Sequence, residues 1–207
     1  MPVIVQKSLS NNISLSIWKI EESLDFFSNL HLSKNCRIRL NKMKSDEMKK
    51  QFLAVRKLIE FNGISLDKLK YNAEGIPYLK NEKNISISHT NSFSAIAISS
   101  KPIGIDIEGY RNKILNISKK FINTKESNLI DSNSIKELTL AWCIKEAIYK
   151  LFRSPGLDFK DEIKIQSISN NLSHSFTSVE KLDKKYFFKS FNIIDSDYIC
   201  SIVQSNE

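Results

Sequence analysis

Long hydrophobic runs are missing. No apolar stretch in the 207 residues approaches the ~20 that a helix needs to cross a bilayer. Met1-Pro2-Val3-Ile4-Val5-Gln6-Lys7 meets polar residues too soon to read as a signal peptide. Cysteine is scarce: Cys36, Cys143 and Cys200 are odd in number and far apart, which argues against a disulfide framework and against a Cys-x-x-Cys metal site. Reduced thiols in a cytoplasmic protein are the expectation. Five glycines and four prolines exclude collagen-like and low-complexity chains. With 41% hydrophobic and 26% charged residues, disorder is excluded as the main state.

What is present in excess is positive charge, and it is unevenly placed. The net charge is +8. Residues 1–104 hold 16 Lys+Arg against 9 Asp+Glu, and residues 105–207 hold 15 against 14. Nine bases fall within 34–57 (Lys34, Arg37, Arg39, Lys42, Lys44, Lys49, Lys50, Arg56, Lys57), with only Asp46 and Glu47 opposing them. Such a segment attracts anions, whether nucleic acid, a phosphorylated cofactor or an acidic protein; a solvated helix face explains it as well.

Residues 13–18 alternate as a half-buried strand, and 21–30 read as a short helix. Ser45 caps a helix carrying Met48, Phe52, Val55 and Ile59 at helical spacing, stopped by Gly63. Gly75-Ile76-Pro77 is a turn; 85–89, 93–98 and 103–108 are strands. Short helices are expected at 113–121 and 124–130. A capping box at Ser134–Glu137 opens a long helix to about Arg153. The rest reads as strands at 162–168, 175–179, 186–193 and 198–203. The class is α+β.

Ile103-Gly104-Ile105-Asp106-Ile107-Glu108 carries chemistry. Strand alternation puts the isoleucines on one face and Gly104, Asp106 and Glu108 on the other. Two carboxylates aimed the same way repel unless a cation lies between them, and hard oxygen donors suit Mg²⁺. Gly104 on that face leaves room for a ligand. In the long helix, Trp142, Glu146 and Lys150 stand at i, i+4 and i+8 and share a face, with Lys145 beside them. Three carboxylates, two lysines and a basic segment suit a Mg²⁺-dependent enzyme acting on a phosphate ester or anhydride. Two other readings stand beside it. A ribonuclease-H-like exonuclease also uses Asp-x-Glu on a strand, but it wants further downstream aspartates with a His or Tyr near the last, and Asp158 and Asp161 do not show that spacing. A basic nucleic-acid-binding module explains 34–57, leaves the carboxylates idle and wants exposed aromatics that the segment lacks.

The strand motif Gly104–Glu108 followed by Trp142-Cys143-Ile144-Lys145-Glu146-Ala147-Ile148-Tyr149-Lys150 resembles the signature of the 4′-phosphopantetheinyl transferases. Ile87-Ser88-His89-Thr90 and Gln51–Arg56 are similar to the longer, surfactin-synthetase-type branch, as is the length. The resemblance implies two similar α+β halves, 1–102 and 103–207, with the site in the cleft between them. It implies transfer of the phosphopantetheine arm of coenzyme A to a serine of an acidic acyl or peptidyl carrier protein, with adenosine 3′,5′-bisphosphate leaving. Asp106, Glu108 and Glu146 match the family's metal positions, for Mg²⁺ or Mn²⁺. Glu146 also matches the serine's base. Lys150 and Lys145 match phosphate-binding lysines, and Ser88 and His89 the pair holding the 3′-phosphate. A monomer that takes no nucleic acid and no membrane is expected. Ile76 departs from the family, standing where Lys or Arg is usual; Lys34, Arg37, Lys42 and Lys44 are the candidate replacements.

Overall fold

The computed structural model describes residues 3–9, 12–80 and 83–205. The chain forms two compact units, Met1–Lys101 and Pro102–Glu207. Each lays one long helix on an antiparallel sheet, so the fold is α+β.

The first unit contains β1 (Val3–Leu9), β2 (Ile13–Lys19), α1 (Lys34–Asn41), α2 (Asp46–Phe61), β3 (Leu69–Tyr71), β4 (Pro77–Leu79), β5 (Asn84–His89) and β6 (Phe93–Ser99). Its main sheet has the order β1-β2-β6-β5, and β3 and β4 form a separate hairpin. Ser45 starts α2, its hydroxyl accepting from the Met48 N–H. The apolar stripe of α2 (Phe52, Val55, Leu58, Ile59) closes a core over Trp18, Ile85, Ile96 and Ile98. The alternation of β2 is not a half-buried pattern. Leu15, Ser16 and Ile17 have no exposure at all. The serines sit where the sheet faces α2, and Ser14 and Ser16 bond the Asn62 side chain at its C-terminus. Small residues on that face let the helix end approach.

The expected helix at 21–30 is only a 3-10 turn, Leu24–Phe27. Phe26 and Phe27 turn their rings onto Trp18, a tertiary packing that outweighs local helix propensity. Helix α1 buries only Cys36 and so shows no apolar periodicity. Gly75 takes a left-handed φ of 81°, and the Asn72 side chain accepts from the Glu74 and Ile76 N–H groups, which makes the 75–77 turn.

The second unit contains β7 (Ile103–Gly109), α3 (Lys113–Ile117), α4 (Ile135–Phe152), β8 (Ile163–Ile168), β9 (His174–Lys181), β10 (Lys184–Ile194) and β11 (Tyr198–Gln204). Its sheet order is β7-β11-β10-β9-β8. Helix α4 begins at Ser134, whose hydroxyl accepts from the Glu137 N–H. The capping box is modified: the Glu137 carboxylate reaches back past Ser134 to the Asp131 N–H. Arg153 ends the helix in a left-handed conformation, φ 53°. Leu138, Ala141, Ile144 and Ile148 of α4 pack with Ile163, Val179, Ile199 and Val203 of the sheet. Of the two short helices expected before α4, the first survives as α3 with a 3-10 turn, Ser118–Lys120. The second shrinks to Glu126–Asn128, because Asn123 captures the Lys125 and Glu126 N–H groups in a side-chain turn. Among the described residues, no helix is long and apolar enough to cross a membrane.

Candidate active site

Helix α4 lies directly against β7 because Gly104 has no side chain. A Cβ at that position would meet the Ala147 carbonyl oxygen at 1.9 Å and the Leu151 nitrogen at 3.0 Å. The glycine therefore makes room for a helix rather than for a ligand. The close approach also sets the direction of its neighbours. By alternation Asp106 and Glu108 point from β7 toward α4, while Ile103, Ile105 and Ile107 are wholly buried on the other face.

Asp106 is 4% exposed, and its Oδ1 accepts from Lys150 Nζ at 2.7 Å. Glu146 stands one turn before Lys150 on the half-exposed stripe of α4 that also carries Trp142. The three carboxylates share one electrostatic field. Burial pushes Glu108 up from 4.5 to about 7, and the Asp106 charge adds to the rise against Arg111 and Lys150. Burial also raises Glu146, again reinforced by Asp106 and opposed by Lys150. Cys143 and Cys200 lie beside this field, and burial followed by the Asp106 charge drives both thiols upward. They are neutral packing groups at pH 7, neither nucleophiles nor metal ligands.

Among the described residues, no three His, Cys, Asp or Glu side chains meet as a ready-made metal cage. The donor set nonetheless fits a hard divalent cation. Three carboxylates share one partly buried field, and burial, reinforced by the Asp106 charge, holds Glu108 and Glu146 toward their protonated forms, which a cation would reverse. Mg²⁺ completes its shell with water and substrate phosphate, so it does not require a closed protein cage.

Lys145 is not brought to this site. Its ammonium has no exposure and is bound by Glu126 at 2.8 Å and by the carbonyls of Phe121, Phe159 and Ile163 at 2.6, 2.8 and 2.8 Å. An ammonium saturated by protein oxygens has no donor left for phosphate. Asp158 is likewise committed elsewhere, accepting from the Lys160 and Asp161 N–H groups in a turn. One of the extra carboxylates considered for the exonuclease reading, Asp158, is thus used in loop structure.

The first unit holds a cavity of about 260 Å³, lined among others by Arg39, Arg56, Tyr71, Gly75, Pro77 and His89. Arg56 is 2% exposed, with no carboxylate partner among the described residues. Its Nη1 donates to the Phe52 carbonyl and Nη2 to the Tyr71 hydroxyl, each at 3.1 Å, while Nε is buried without a hydrogen-bond partner. Its guanidinium stacks on Phe52 at 3.3 Å, and that of Arg39 on Tyr71 at 4.2 Å. A buried cation without a counter-ion is costly unless an anion arrives. His89 continues the Ile85–Ile87 face of β5 to the cavity; Ser88 is buried one position earlier, on the opposite face. Lys34, Arg37, Lys42 and Lys44 are exposed and do not line the cavity.

Sequence reasoning counted Arg56 among the bases of an anion-attracting segment but did not single it out as a replacement for Ile76, although a signal existed. Arg56 falls at i+4 from Phe52, inside the apolar series of α2, where a solvated arginine does not belong. Glu126 had no comparable signal.

Residues 102–203 match the family model described as the 4′-phosphopantetheinyl transferase superfamily. They form a domain of that superfamily. The matched span contains β7, α4 and all of Asp106, Glu108, Glu146 and Lys150. A curated Bacillus subtilis protein, "4'-phosphopantetheinyl transferase", is 32% identical over 92 residues, 42% of this chain and 41% of that relative. The aligned part of the superfamily relative is thus less than half of its length.

Proposed function

We propose that the chain is a 4′-phosphopantetheinyl transferase of the longer branch, moving the arm of coenzyme A onto a serine of an acidic acyl or peptidyl carrier protein. The observation that carries this reading is the Lys150–Asp106 contact that joins α4 to β7, with Glu108 and Glu146 in the same electrostatic field, inside a superfamily domain.

In this reaction the serine Oγ loses its proton and forms a bond to the β-phosphorus of coenzyme A. The bond from that phosphorus to the bridging oxygen breaks, and adenosine 3′,5′-bisphosphate leaves with the electron pair. Glu146 is the residue for the proton: burial raises its carboxyl toward the neutral range in which a general base works best. Lys150 supplies a point charge for a phosphate oxygen from its place beside Asp106. Asp106, Glu108 and Glu146 would hold Mg²⁺ or Mn²⁺, which when bound screens the charge of the pyrophosphate. The first unit serves the nucleotide end. Arg39 and Arg56 supply the cations, and His89 a ring N–H, for a 3′-phosphate that Ile76 does not serve, and Ser88 contributes to the same strand end.

Intact-mass spectrometry of apo carrier proteins incubated with coenzyme A and Mg²⁺ tests the reading. The expected product gains one phosphopantetheine arm. No gain on fatty-acid, polyketide or nonribosomal-peptide carriers would overturn it.

A further inference from the structure

The most deeply buried charge in the second unit is one that the chemistry above does not use. Lys145 directly precedes Glu146 in α4, yet its side chain is 0% exposed, and that of its partner Glu126 is 1% exposed. The ammonium takes acceptors from two separate segments, Phe121–Glu126 and Phe159–Ile163. Glu126 is fixed in turn, one oxygen accepting from the Ile165 N–H at 2.8 Å and the other from the Asn123 N–H at 2.9 Å. The pair is therefore tied to backbone at both ends.

We infer that the Lys145–Glu126 pair is a positioning device: it fixes the rotation of α4 about its axis and so aims Glu146 and Lys150 at Asp106. A buried ion pair is weak evidence for stability, since apolar groups of the same size often serve as well or better. Apolar packing, however, has no direction. The pair does, because its bonds come from fixed carbonyls on two segments. At about 100° per residue, Glu146 follows Lys145 by about 100° around the helix and Lys150 by about 140°. The anchor thus lies on one side of α4 and the reactive groups on the other. A roll of about 20° moves a side-chain tip ~6 Å from the axis by about 2 Å, enough to break the 2.7 Å Lys150–Asp106 contact.

The functional half of this inference rests on the transferase reading, and the test separates the two. The double variant Lys145→Met/Glu126→Met replaces both charges with apolar groups, and Glu126→Gln is the milder companion should the double variant fail to fold. Each is compared with the wild type by urea unfolding, Mn²⁺ titration, crystal structure and steady-state transfer. The expected result is a folded protein with the Lys150–Asp106 contact broken and Mn²⁺ bound about 10- to 100-fold more weakly. Its kcat should fall about 10²-fold, with KM for coenzyme A little changed. An unchanged contact with wild-type Mn²⁺ affinity and kcat would reduce the pair to a structural role and overturn the inference. A wild type that transfers nothing would sink the transferase reading alone, since the contact distance still decides whether the pair positions α4.

Discussion

Lys150 Nζ lies 2.7 Å from Asp106 Oδ1, joining the last turn of α4 to the middle of β7 across 44 positions of sequence. Asp106 is almost wholly buried and Lys150 only partly so. The lysine therefore pairs with the most buried of the three site carboxylates, while burial, reinforced by the Asp106 charge, raises Glu108 and Glu146.

Glu146→Gln keeps the shape of the side chain and removes its capacity to accept a proton. Transfer should fall by about 10²–10⁴ at pH 7.5, the range usual for a lost general base. A loss below tenfold in single-turnover assays would assign proton removal elsewhere.

Stability without metal should fall as pH rises toward neutrality. Glu108 is raised to about 7 and Glu146 is also raised, both chiefly by burial. The folded state then keeps protons that the unfolded chain releases above its ordinary value of 4.5. The contribution of Glu108 is intact below about 4.5 and is lost as pH rises through 7, and Glu146 adds to the loss in the same direction. Melting temperatures in EDTA should decline across that window, and Mg²⁺ should remove most of the decline. Parallel curves with and without Mg²⁺ would contradict the shared site.

Gly104→Ala tests the close approach of β7 and α4. The new Cβ would stand 1.9 Å from a backbone oxygen, which cannot rotate aside. Destabilisation of about 1–3 kcal/mol or more is expected from urea unfolding, as for other overpacked cores. A change within 0.5 kcal/mol, the usual spread of neutral surface substitutions, would mean that the two elements part freely.

Much of this site was legible because strand and helix periods are rigid rules. Alternation alone places Asp106 and Glu108 together, and i, i+4 spacing places Glu146 with Lys150. The use of Gly104 was not legible, because which surface approaches a glycine is a tertiary fact. Lys145 misled for the same reason. In sequence it flanks Glu146 as a surface base would, and only the fold brings Glu126 and three carbonyls around it. The 3-10 turn at Glu126–Asn128 shows the other limit, since the Asn123 side chain decides it against the helical pattern.

Arg56→Met should separate the two ends of coenzyme A. Losing a charge-assisted bond worth about 1.5–3 kcal/mol should raise KM for coenzyme A about ten- to a hundredfold. KM for 3′-dephospho-coenzyme A should barely move. Equal effects on both substrates would remove Arg56 from phosphate recognition.

The carboxylate assembly itself is tested most directly by calorimetric titration of Mg²⁺ into the wild type and Asp106→Ala at pH 7.5, with folding checked by circular dichroism. The account predicts binding by the wild type that disappears in a folded Asp106→Ala protein, together with its transfer activity. Undiminished Mg²⁺ binding by that variant would contradict it.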